Sequence, residues 1–197
     1  MHLSAPYTDG WVELQDAASQ AVVDLLPIKP DARVLDYCAG GGGKVLAMAA
    51  REAATYFAHD ANPARMKDLP DRAARAGADI AVLEPEEVAG LYDLVLCDVP
   101  CSGSGAWRRS PAGKWAFDQE QLDDLCQTQA GILTTVADFV APDGVLAYTT
   151  CSLLDAENSG QIDGFLSRNP EWQCIENHRF TPLDGGDGFF CALLTRK

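Results

Sequence analysis

The sequence lacks the long apolar segment that a membrane-spanning protein needs. No uninterrupted apolar run approaches the roughly 20 residues that cross a bilayer as a helix. Residues 1–6 also lack the basic and apolar regions of a secretory signal peptide. We therefore expect a cytoplasmic protein without a membrane partner.

The sequence also lacks the cysteine pattern of a disulfide framework or a zinc site. Its seven cysteines are odd in number, and no two of them form a CxxC pair. Scattered cysteines of this kind are typical of reduced thiols in the cytosol. We predict no disulfide bond and no metal site.

Basic residues are scarce. The chain has 15 lysines and arginines against 29 aspartates and glutamates, which gives a net charge of −14. Phosphate backbones are bound largely through lysine and arginine, so a chain this acidic should hold a nucleic acid weakly by itself. The same charge is also compatible with a role in solubility alone.

The apolar content that is present indicates a folded domain. Hydrophobic residues make up 47% of the 197 residues, which is typical of a globular protein rather than a disordered one. A chain of this length usually forms one domain. We predict a single domain over residues 1–197 that begins with a short helical lead-in, about residues 1–30.

Strand and helix patterns alternate along the chain. Predicted strands cover residues 33–36, 55–60, 79–83, 92–97 and 145–150, and predicted helices cover residues 12–26, 44–54, 63–76, 118–140 and 157–167. Pro70 should break the third of these helices midway. Two β segments, at residues 172–176 and 188–195, follow without an intervening helix. The pattern predicts an α/β fold with a doubly wound, mostly parallel sheet and a C-terminal antiparallel hairpin at its edge.

A run of glycines follows the first predicted strand, where ligands bind in sheets of this kind. It comprises Gly40, Gly41, Gly42 and Gly43, and Lys44 comes next. Glycine lets a ligand approach the backbone closely because no Cβ stands in the way. A Walker P-loop would continue with Ser or Thr, which this run does not. The run predicts a small-ligand site, with a merely flexible turn as the alternative.

Asp60 ends the second predicted strand. A carboxylate at that place can accept hydrogen bonds from both hydroxyls of a ribose. Together with the glycine run, it indicates a nucleoside cofactor. An aspartate at a strand end is also commonly a helix cap, a role for which Asn62 competes.

A long polar loop follows the fourth predicted strand, at residues 98–115. Its side chains include Asp98, Pro100, Cys101, Trp107, Arg108, Arg109, Lys114 and Trp115. Loops this long in compact domains are usually functional, and this composition suits chemistry on an aromatic, anionic substrate. A solvent-facing surface loop is the alternative.

Cys151 follows the fifth predicted strand just as Cys101 follows the fourth. The two are 50 positions apart (151 minus 101). Because their strands should be neighbours, both thiols should lie at adjacent carboxyl ends, with Glu157 and Asn158 close behind. Four further cysteines lie inside apolar segments, and we interpret them as small core residues: Cys97, Cys126, Cys174 and Cys191.

Taken together, these motifs resemble the RNA (cytosine-5) methyltransferase family of the Sun/Fmu type over nearly the whole chain. Besides the glycine run and the two cysteine blocks, the resemblance rests on Gln15, Asp16, Ser19, Asp60, Arg65, Arg109, Lys114, Trp115, Thr150, Glu157, Asn158 and the segment 187–190. It implies a Rossmann-like class I fold with a seven-stranded sheet and S-adenosylmethionine as the cofactor. By the same resemblance, the cofactor site comprises Cys38, Ala39, Gly40, Gly41, Gly42, Gly43, Lys44, Asp60, Arg65, Asp98 and Pro100.

The resemblance also implies a mechanism. The Cys151 thiolate would add to C6 of cytosine and thereby activate C5 towards the methyl group. Asp98 would bind the exocyclic amine or N3, Cys101 would help to remove the C5 proton, and Lys44 would lie in the same pocket. The target base must leave its stack to reach them. DNA cytosine-5 methyltransferases use the cysteine of a Pro-Cys pair as nucleophile, so Cys101 stays open for that role.

The chain departs from the family pattern in three ways. Gly40, Gly41 and Val45 replace Ala, Pro and Thr of the family loop, and only Glu84 stands where an aspartate usually follows the third strand. The sequence indicates no separate RNA-binding domain, so another region or a partner should supply RNA affinity. Ribosomal RNA is favoured over transfer RNA as substrate. A catalytically impaired methyltransferase-like binding domain is the alternative function.

Overall fold

The structure, a computed structural model, describes residues 4–197. Its strands are β1 (Arg33–Asp36), β2 (Thr55–His59), β3 (Ile80–Leu83), β4 (Tyr92–Asp98), β5 (Val140–Thr150), β6 (Trp172–Phe180) and β7 (Phe189–Arg196). They form one seven-stranded sheet in the order β3-β2-β1-β4-β5-β7-β6. Pairing is parallel from β3 to β5, whereas β7 runs antiparallel to both β5 and β6. The predicted mostly parallel sheet and its C-terminal antiparallel hairpin are confirmed.

Helices cover both faces of the sheet. They are α1 (Ala5–Thr8), α2 (Ala17–Leu25), α3 (Gly43–Arg51), α4 (Leu69–Ala76), α5 (Ala112–Ala116), α6 (Gln119–Ala137) and α7 (Ser159–Arg168). Side chains of α2, α3 and α4 pack on one face with Val34 and Leu94. Side chains of α6 and α7 pack on the other with Leu35 and Val95. Adjacent strand residues thus serve opposite faces, which is why the central strands are apolar throughout. Within residues 4–197, no helix combines the length and apolarity that a bilayer crossing requires.

The helix predicted at residues 12–26 begins only at Ala17. The Asp16 carboxylate accepts a hydrogen bond from the backbone N–H of Ala18 at 2.9 Å and caps the first turn. Val12 and Leu14 lie before this cap and are each 42% exposed. The apolar spacing that suggested a helix begins at Val12, but residues 12–16 form no regular element, so that part of the prediction was wrong.

Pro70 divides the predicted third helix as expected. A 3-10 turn at Pro63–Met66 precedes α4, and Pro70 falls in the first turn of α4, where its missing N–H costs nothing. Asn62 caps the 3-10 turn through its side chain, and Gly77 ends α4 with a φ of 67°. By contrast, the loop predicted at residues 98–115 is not continuous, because it contains a 3-10 turn at Ser104–Ala106 and helix α5.

The sheet brings the carboxyl ends of β1, β4 and β5 to one edge. The direction in which strands are added reverses between β1 and β4, which is where open sheets of this kind bind ligands. Asp98, at the end of β4, lies beside Thr149 of β5 in the strand register. The glycine run and both cysteine-bearing loops leave the sheet at this edge.

Candidate active site

The glycine run forms a tight turn between β1 and α3. Gly40 and Gly42 have φ values of 53° and 81°, in the left-handed region that favours glycine. A Cβ on Gly42 would also collide with the Leu69 side chain of α4. The backbone N–H of Ala39 donates to the His59 carbonyl at 2.9 Å, which ties the turn to β2. The four-glycine sequence is therefore required by backbone shape at two positions.

Asp60 organises this turn. Its Oδ2 atom accepts hydrogen bonds from the backbone N–H of Gly40 at 2.9 Å and from Arg65 at 3.1 Å. Its Oδ1 atom accepts from the backbone N–H of Asn62 at 2.9 Å. Asn62 in turn caps the following 3-10 turn, so the two side chains divide the roles for which they competed in the sequence. Asp60 is buried, whereas the Arg65 side chain is largely exposed.

Asp36, at the end of β1, is a buried carboxylate without a hydrogen-bond partner among residues 4–197. Burial raises its pKa to about 7, and the neighbouring charge of Asp98 adds to that rise. Both of its side-chain oxygens can therefore accept hydrogen bonds from a ligand that reaches them. In the sequence, Asp36 is the last residue of the first predicted strand, and no role was predicted for it.

The buried Lys44 and the half-buried Asp98 form an ion pair beside this carboxyl group. The Nζ atom of Lys44 lies 2.7 Å from Oδ2 of Asp98, and the Thr149 hydroxyl donates to Oδ1 at 3.0 Å. The ammonium group also lies 4.8 Å from the centre of the Phe189 ring. Burial by itself would lower the pKa of Lys44, but the charge and hydrogen bond of Asp98 outweigh it and raise that pKa. Lys44 is therefore a cation in this site.

Two thiols meet across the carboxyl ends of β4 and β5. The Sγ atoms of Cys101 and Cys151 are 3.4 Å apart, as their positions in the predicted sheet required. A hydrogen bond from the Cys101 thiol lowers the pKa of Cys151, and the Lys44 charge helps to offset the effect of burial. The same hydrogen bond, together with burial, raises the pKa of Cys101. Cys151 is thus the more acidic of the two thiols.

The two thiols are carried by the Cys101 loop (residues 99–111) and the Cys151 loop (residues 151–158), which are joined directly. The backbone N–H of Gly105 donates to the Cys151 carbonyl at 2.9 Å. The Asn158 side chain accepts from the Thr150 hydroxyl at 2.6 Å and donates to the Ser152 carbonyl at 2.9 Å. These hydrogen bonds therefore hold the two loops, and with them the two thiols, at a fixed distance from each other.

A second set of contacts fixes the far end of the Cys101 loop. Asp187, buried between β6 and β7, pairs with Arg109 and lies 2.9 Å from the guanidinium of Arg108. The hydrogen bond from Arg109 holds the pKa of Asp187 below its usual range. The backbone N–H of Gly188 donates to the Gly105 carbonyl at 3.0 Å. These contacts join the loop to the C-terminal hairpin.

A shallow cavity of about 370 Å³ opens beside Cys101. It is lined by Cys101, Ser102, Phe117, Gln121, Asp124 and Leu125. Cys101 therefore borders a cavity that opens to the surface, next to the aromatic ring of Phe117, on which a planar group can stack.

Some predicted residues lie at the margin of this centre. Gly41 and Pro100 are exposed, and the Pro100 carbonyl accepts a hydrogen bond from Gln129 at 2.9 Å. Cys38 is half-buried, and burial, followed by the charge of Asp36, raises its pKa. Trp115 is 84% exposed and Lys114 is also exposed, so both lie on the surface.

The interpretation of four cysteines as core residues was correct for two of them. Cys97 and Cys191 are fully buried in the strands. Cys126 and Cys174 are only half-buried, because α6 and the edge strand β6 each leave one side to solvent. Glu84, weighed as a ligand residue after β3, is exposed and its backbone N–H donates to the side chain of Glu87 at 2.9 Å.

The chain matches the family described as 16S rRNA methyltransferase RsmB/F over residues 23–195. It is 35% identical over 208 residues to the ribosomal RNA small subunit methyltransferase B of Proteus mirabilis (strain HI4320). That match covers 100% of this chain and 49% of the relative, so the chain spans about half the length of this protein.

Solved structures share the fold. The crystal structure of PH0851 has a TM-score of 0.92 and 30% identity, covering 98% of this chain and 49% of that one. The crystal structure of NSun6 from Pyrococcus horikoshii with SFG has a TM-score of 0.88 over 100% of this chain and 56% of that one, and its 20% identity shows the fold alone. With the match to the family over residues 23–195, these likenesses mean that the chain belongs to the RsmB/F family of 16S rRNA methyltransferases.

Proposed function

We propose that this chain carries the catalytic site of an S-adenosylmethionine-dependent methyltransferase that forms 5-methylcytosine in ribosomal RNA. The observation that carries the proposal is the approach of the Cys101 and Cys151 thiols to 3.4 Å beside the glycine turn. Two thiols in this place suit a reaction that adds sulfur to a base and later eliminates it. The named function of the Proteus relative favours small-subunit ribosomal RNA over transfer RNA, and with it action in the cytoplasm.

The residues at the carboxyl end of β1 fit the cofactor. The unpartnered oxygens of Asp36 can accept hydrogen bonds from an ammonium or hydroxyl group, and Oδ1 of Asp60 can accept one more. Gly40 and Gly42 leave the backbone open to close approach. The Pyrococcus NSun6 structure was solved with SFG, an analogue of S-adenosylmethionine. When bound, the cofactor supplies the methyl group.

Cys151 is the nucleophile in this proposal. Its sulfur would form a bond to C6 of the cytosine ring, and the electron pair of the C5–C6 double bond would move onto C5. The lowered pKa of Cys151, caused mainly by the hydrogen bond from Cys101, favours the thiolate that this step needs. Asp98, held by Lys44 and Thr149, would accept a hydrogen bond from the exocyclic amine or contact N3.

Cys101 would complete the cycle by removing the C5 proton, after which the bond between sulfur and C6 breaks. The largest cause of its raised pKa is the hydrogen bond to Cys151. That cause disappears once the Cys151 sulfur is bonded to carbon, so the Cys101 thiol can lose its proton more readily at the stage that requires a base. The order of the two roles thus follows from the thiol pair itself.

We also propose that RNA affinity comes from a region or partner other than residues 4–197. The chain carries a net charge of −14, and the two arginines of the Cys101 loop already pair with Asp187. Few cations near the thiols are therefore left to meet phosphate groups.

Covalent trapping tests the proposal directly. The protein would be mixed with S-adenosylmethionine and ribosomal RNA containing 5-fluorocytidine, then run on a denaturing gel. Because fluorine at C5 cannot leave as a proton does, a methylated adduct should stay bonded to the enzyme. We expect a shifted band that disappears in Cys151→Ala. With ordinary cytidine, Cys101→Ala should accumulate the adduct that the unmodified protein releases.

The other outcomes are equally informative. A band that survives in Cys151→Ala but disappears in Cys101→Ala would reverse the two assignments. Full turnover by Cys101→Ala would contradict its role in proton removal. If no band forms, calorimetric titration with S-adenosylmethionine decides the next step. Binding would indicate that an RNA-binding partner is missing, whereas no binding would favour an impaired methyltransferase-like domain.

A further inference from the structure

The Glu157 side chain is fully buried where the two cysteine loops meet. Its Oε1 atom accepts hydrogen bonds from the backbone N–H of Ser102 at 2.8 Å and from the Gln129 amide at 3.1 Å. Its Oε2 atom accepts from the hydroxyls of Ser102, at 2.5 Å, and of Ser152. Ser102 follows Cys101 and Ser152 follows Cys151 in the sequence, so one carboxylate binds the chain next to both thiols.

Glu157 is itself held from the side of β5. Its backbone carbonyl accepts a hydrogen bond from the buried Tyr148 hydroxyl at 2.6 Å. Next to it, Asn158 bonds to Thr150 and Ser152. With its backbone held and four donors around its carboxylate, Glu157 has little freedom to move. It therefore fixes the position of the Cys101 loop relative to β5.

The loops are also joined by neutral hydrogen bonds. The hydroxyls of Ser104 and Ser152 are 3.0 Å apart, and the Gly105 N–H meets the Cys151 carbonyl. Glu157 differs from these contacts because it brings a charge, and hydrogen bonds to an ionised acceptor are about twice as strong as neutral ones. It is thus the strongest of these links between two segments that lie 50 positions apart in the chain.

We propose that Glu157 is a positioning residue that sets both the separation of the two thiols and the preference for Cys151 over Cys101 as the reactive one. The effect of Glu157 on the reaction rests on the proposed function. The distance between the two thiols and their relative reactivity are properties of the free protein. Glu157 lies behind the thiols, bonded to the serines that follow them.

The charge of Glu157 supports the second half of this proposal. The hydrogen bond to Cys151, burial and the charge of Cys151 are the larger causes of the raised pKa of Cys101, and the charge of Glu157 adds a smaller contribution. Glu157 is not among the main causes of the pKa shift of Cys151. Because the carboxylate binds the backbone N–H of Ser102, the residue after Cys101, its negative charge adds to the causes that keep the Cys101 thiol protonated and able to donate to Cys151.

Thiol chemistry on the free protein tests both halves without RNA or cofactor. Phenylarsine oxide bridges two close thiols: two S–As bonds form, and the As=O oxygen leaves as water with both thiol protons. Iodoacetamide alkylates single thiolates. Peptide mass analysis would follow Cys101 and Cys151 separately from the other five cysteines. The variants are Glu157→Ala, the isosteric and uncharged Glu157→Gln, and Val140→Ala as a control that opens a cavity at the opposite end of β5.

Glu157→Ala should bridge the two thiols about tenfold more slowly than the unmodified protein, because the strongest link between the loops is lost. Glu157→Gln should slow bridging less than Glu157→Ala does, because the shape of the link is kept while its charge is lost, and it should lower the alkylation preference for Cys151 about tenfold. Val140→Ala should lower the melting temperature yet leave both thiol measurements unchanged. Cys101→Ala should abolish the bridge, which would confirm that the reagent joins Cys101 and Cys151.

The proposal is overturned if Glu157→Gln keeps the preference of the unmodified protein for Cys151, or if a folded Glu157→Ala bridges at the unmodified rate. It is equally overturned if Val140→Ala changes the thiol measurements as much as the Glu157 variants do, since general loosening would then explain them. If Glu157→Ala does not fold, the alkylation preference of Glu157→Gln decides alone. Because none of these measurements needs turnover, a failure of the trapping experiment would leave them interpretable.

Discussion

Lys44 is a buried cation in an otherwise acidic centre. Its ammonium group pairs with Asp98, and the charge of Asp36 lies close enough to contribute to its raised pKa. Although the hydrogen bond from Cys101 is the larger cause, Lys44 also lowers the pKa of Cys151. One side chain therefore both holds the residue proposed to bind the base and favours the reactive form of the nucleophile.

Replacing Lys44 by Met should impair both tasks. The pKa of Cys151 should rise, so its alkylation at pH 7 should slow and the rate profile should move to higher pH. Turnover should fall by about a hundredfold or more, as it does when an enzyme loses one preorganised charge partner. Lys29→Met removes an exposed lysine and serves as the control. An unchanged alkylation profile in Lys44→Met would show that its charge does not act on Cys151.

The turn between β1 and α3 restricts the residues that it can contain more than a regular strand or helix does. Gly42 has a left-handed φ of 81°, and the Leu69 side chain occupies the place where a Cβ atom would lie. Any side chain there strains the backbone and collides with α4. Asp60 also holds this turn by accepting a hydrogen bond from the backbone N–H of Gly40.

Gly42→Ala should lower the free energy of unfolding by about 1–3 kcal/mol, through backbone strain and overpacking against α4. Calorimetry should show weaker binding of S-adenosylmethionine. Gly131→Ala is the matched control, because it lies in α6 with open space around its Cβ position and should stabilise the helix by about 0.5–1 kcal/mol. Urea denaturation measures both variants, and equal stability of the two would disprove the role given to Gly42.

The elements that sequence reasoning located best are the buried strands. Their continuous apolar runs have no other plausible environment, so β1 and β4 were placed almost to the residue. The start of α2 was misplaced because Val12 was included in the helical apolar spacing that continues at Ala18 and Val22, and because Asp16 was not interpreted as a cap. The apolar patterns of the sequence therefore predicted the strands of the sheet correctly but placed the start of α2 wrongly.

Much of the site could also be anticipated, because the carboxyl ends of neighbouring strands must meet. That rule brings Cys101 and Cys151 together without knowledge of any contact. It says nothing of side chains that act through others. The pairing of Arg109 with Asp187 joins residues 78 positions apart, and the links from Glu157 to both serines depend on packing that no sequence spacing reveals.

Asp36 links the site to the pH dependence of the stability of the fold. Its pKa is raised from 3.8 to about 7 in the folded chain, mainly by burial. The folded state therefore holds the proton more tightly than the unfolded state does. Stability is highest below about pH 4 with respect to this group, and it declines as pH rises through the folded value near 7.

Asp36→Asn should remove this decline, because the amide resembles the protonated acid. At pH 8 the variant should be more stable than the unmodified protein by about 2–4 kcal/mol, and at pH 4 the two should be alike. Urea denaturation at both pH values measures the difference, with Asp143→Asn, an exposed carboxylate of β5, as the control. A variant less stable at pH 8 would mean that the ionised carboxylate is satisfied in the fold. The same change should weaken cofactor binding.

The ties of Gly105 to Cys151 and to Gly188, and of Arg109 to Asp187, have a consequence for the choice of substrate. Because these contacts hold the Cys101 loop in one conformation in the free protein, the loop loses little conformational entropy when a substrate binds. Under the proposed function, it is then the RNA that changes conformation when the two bind, because its target nucleotide must unstack. A cytosine in a bulge or single-stranded bend does this with less work than one in a stable helix, so a rigid site favours nucleotides that are already loosened.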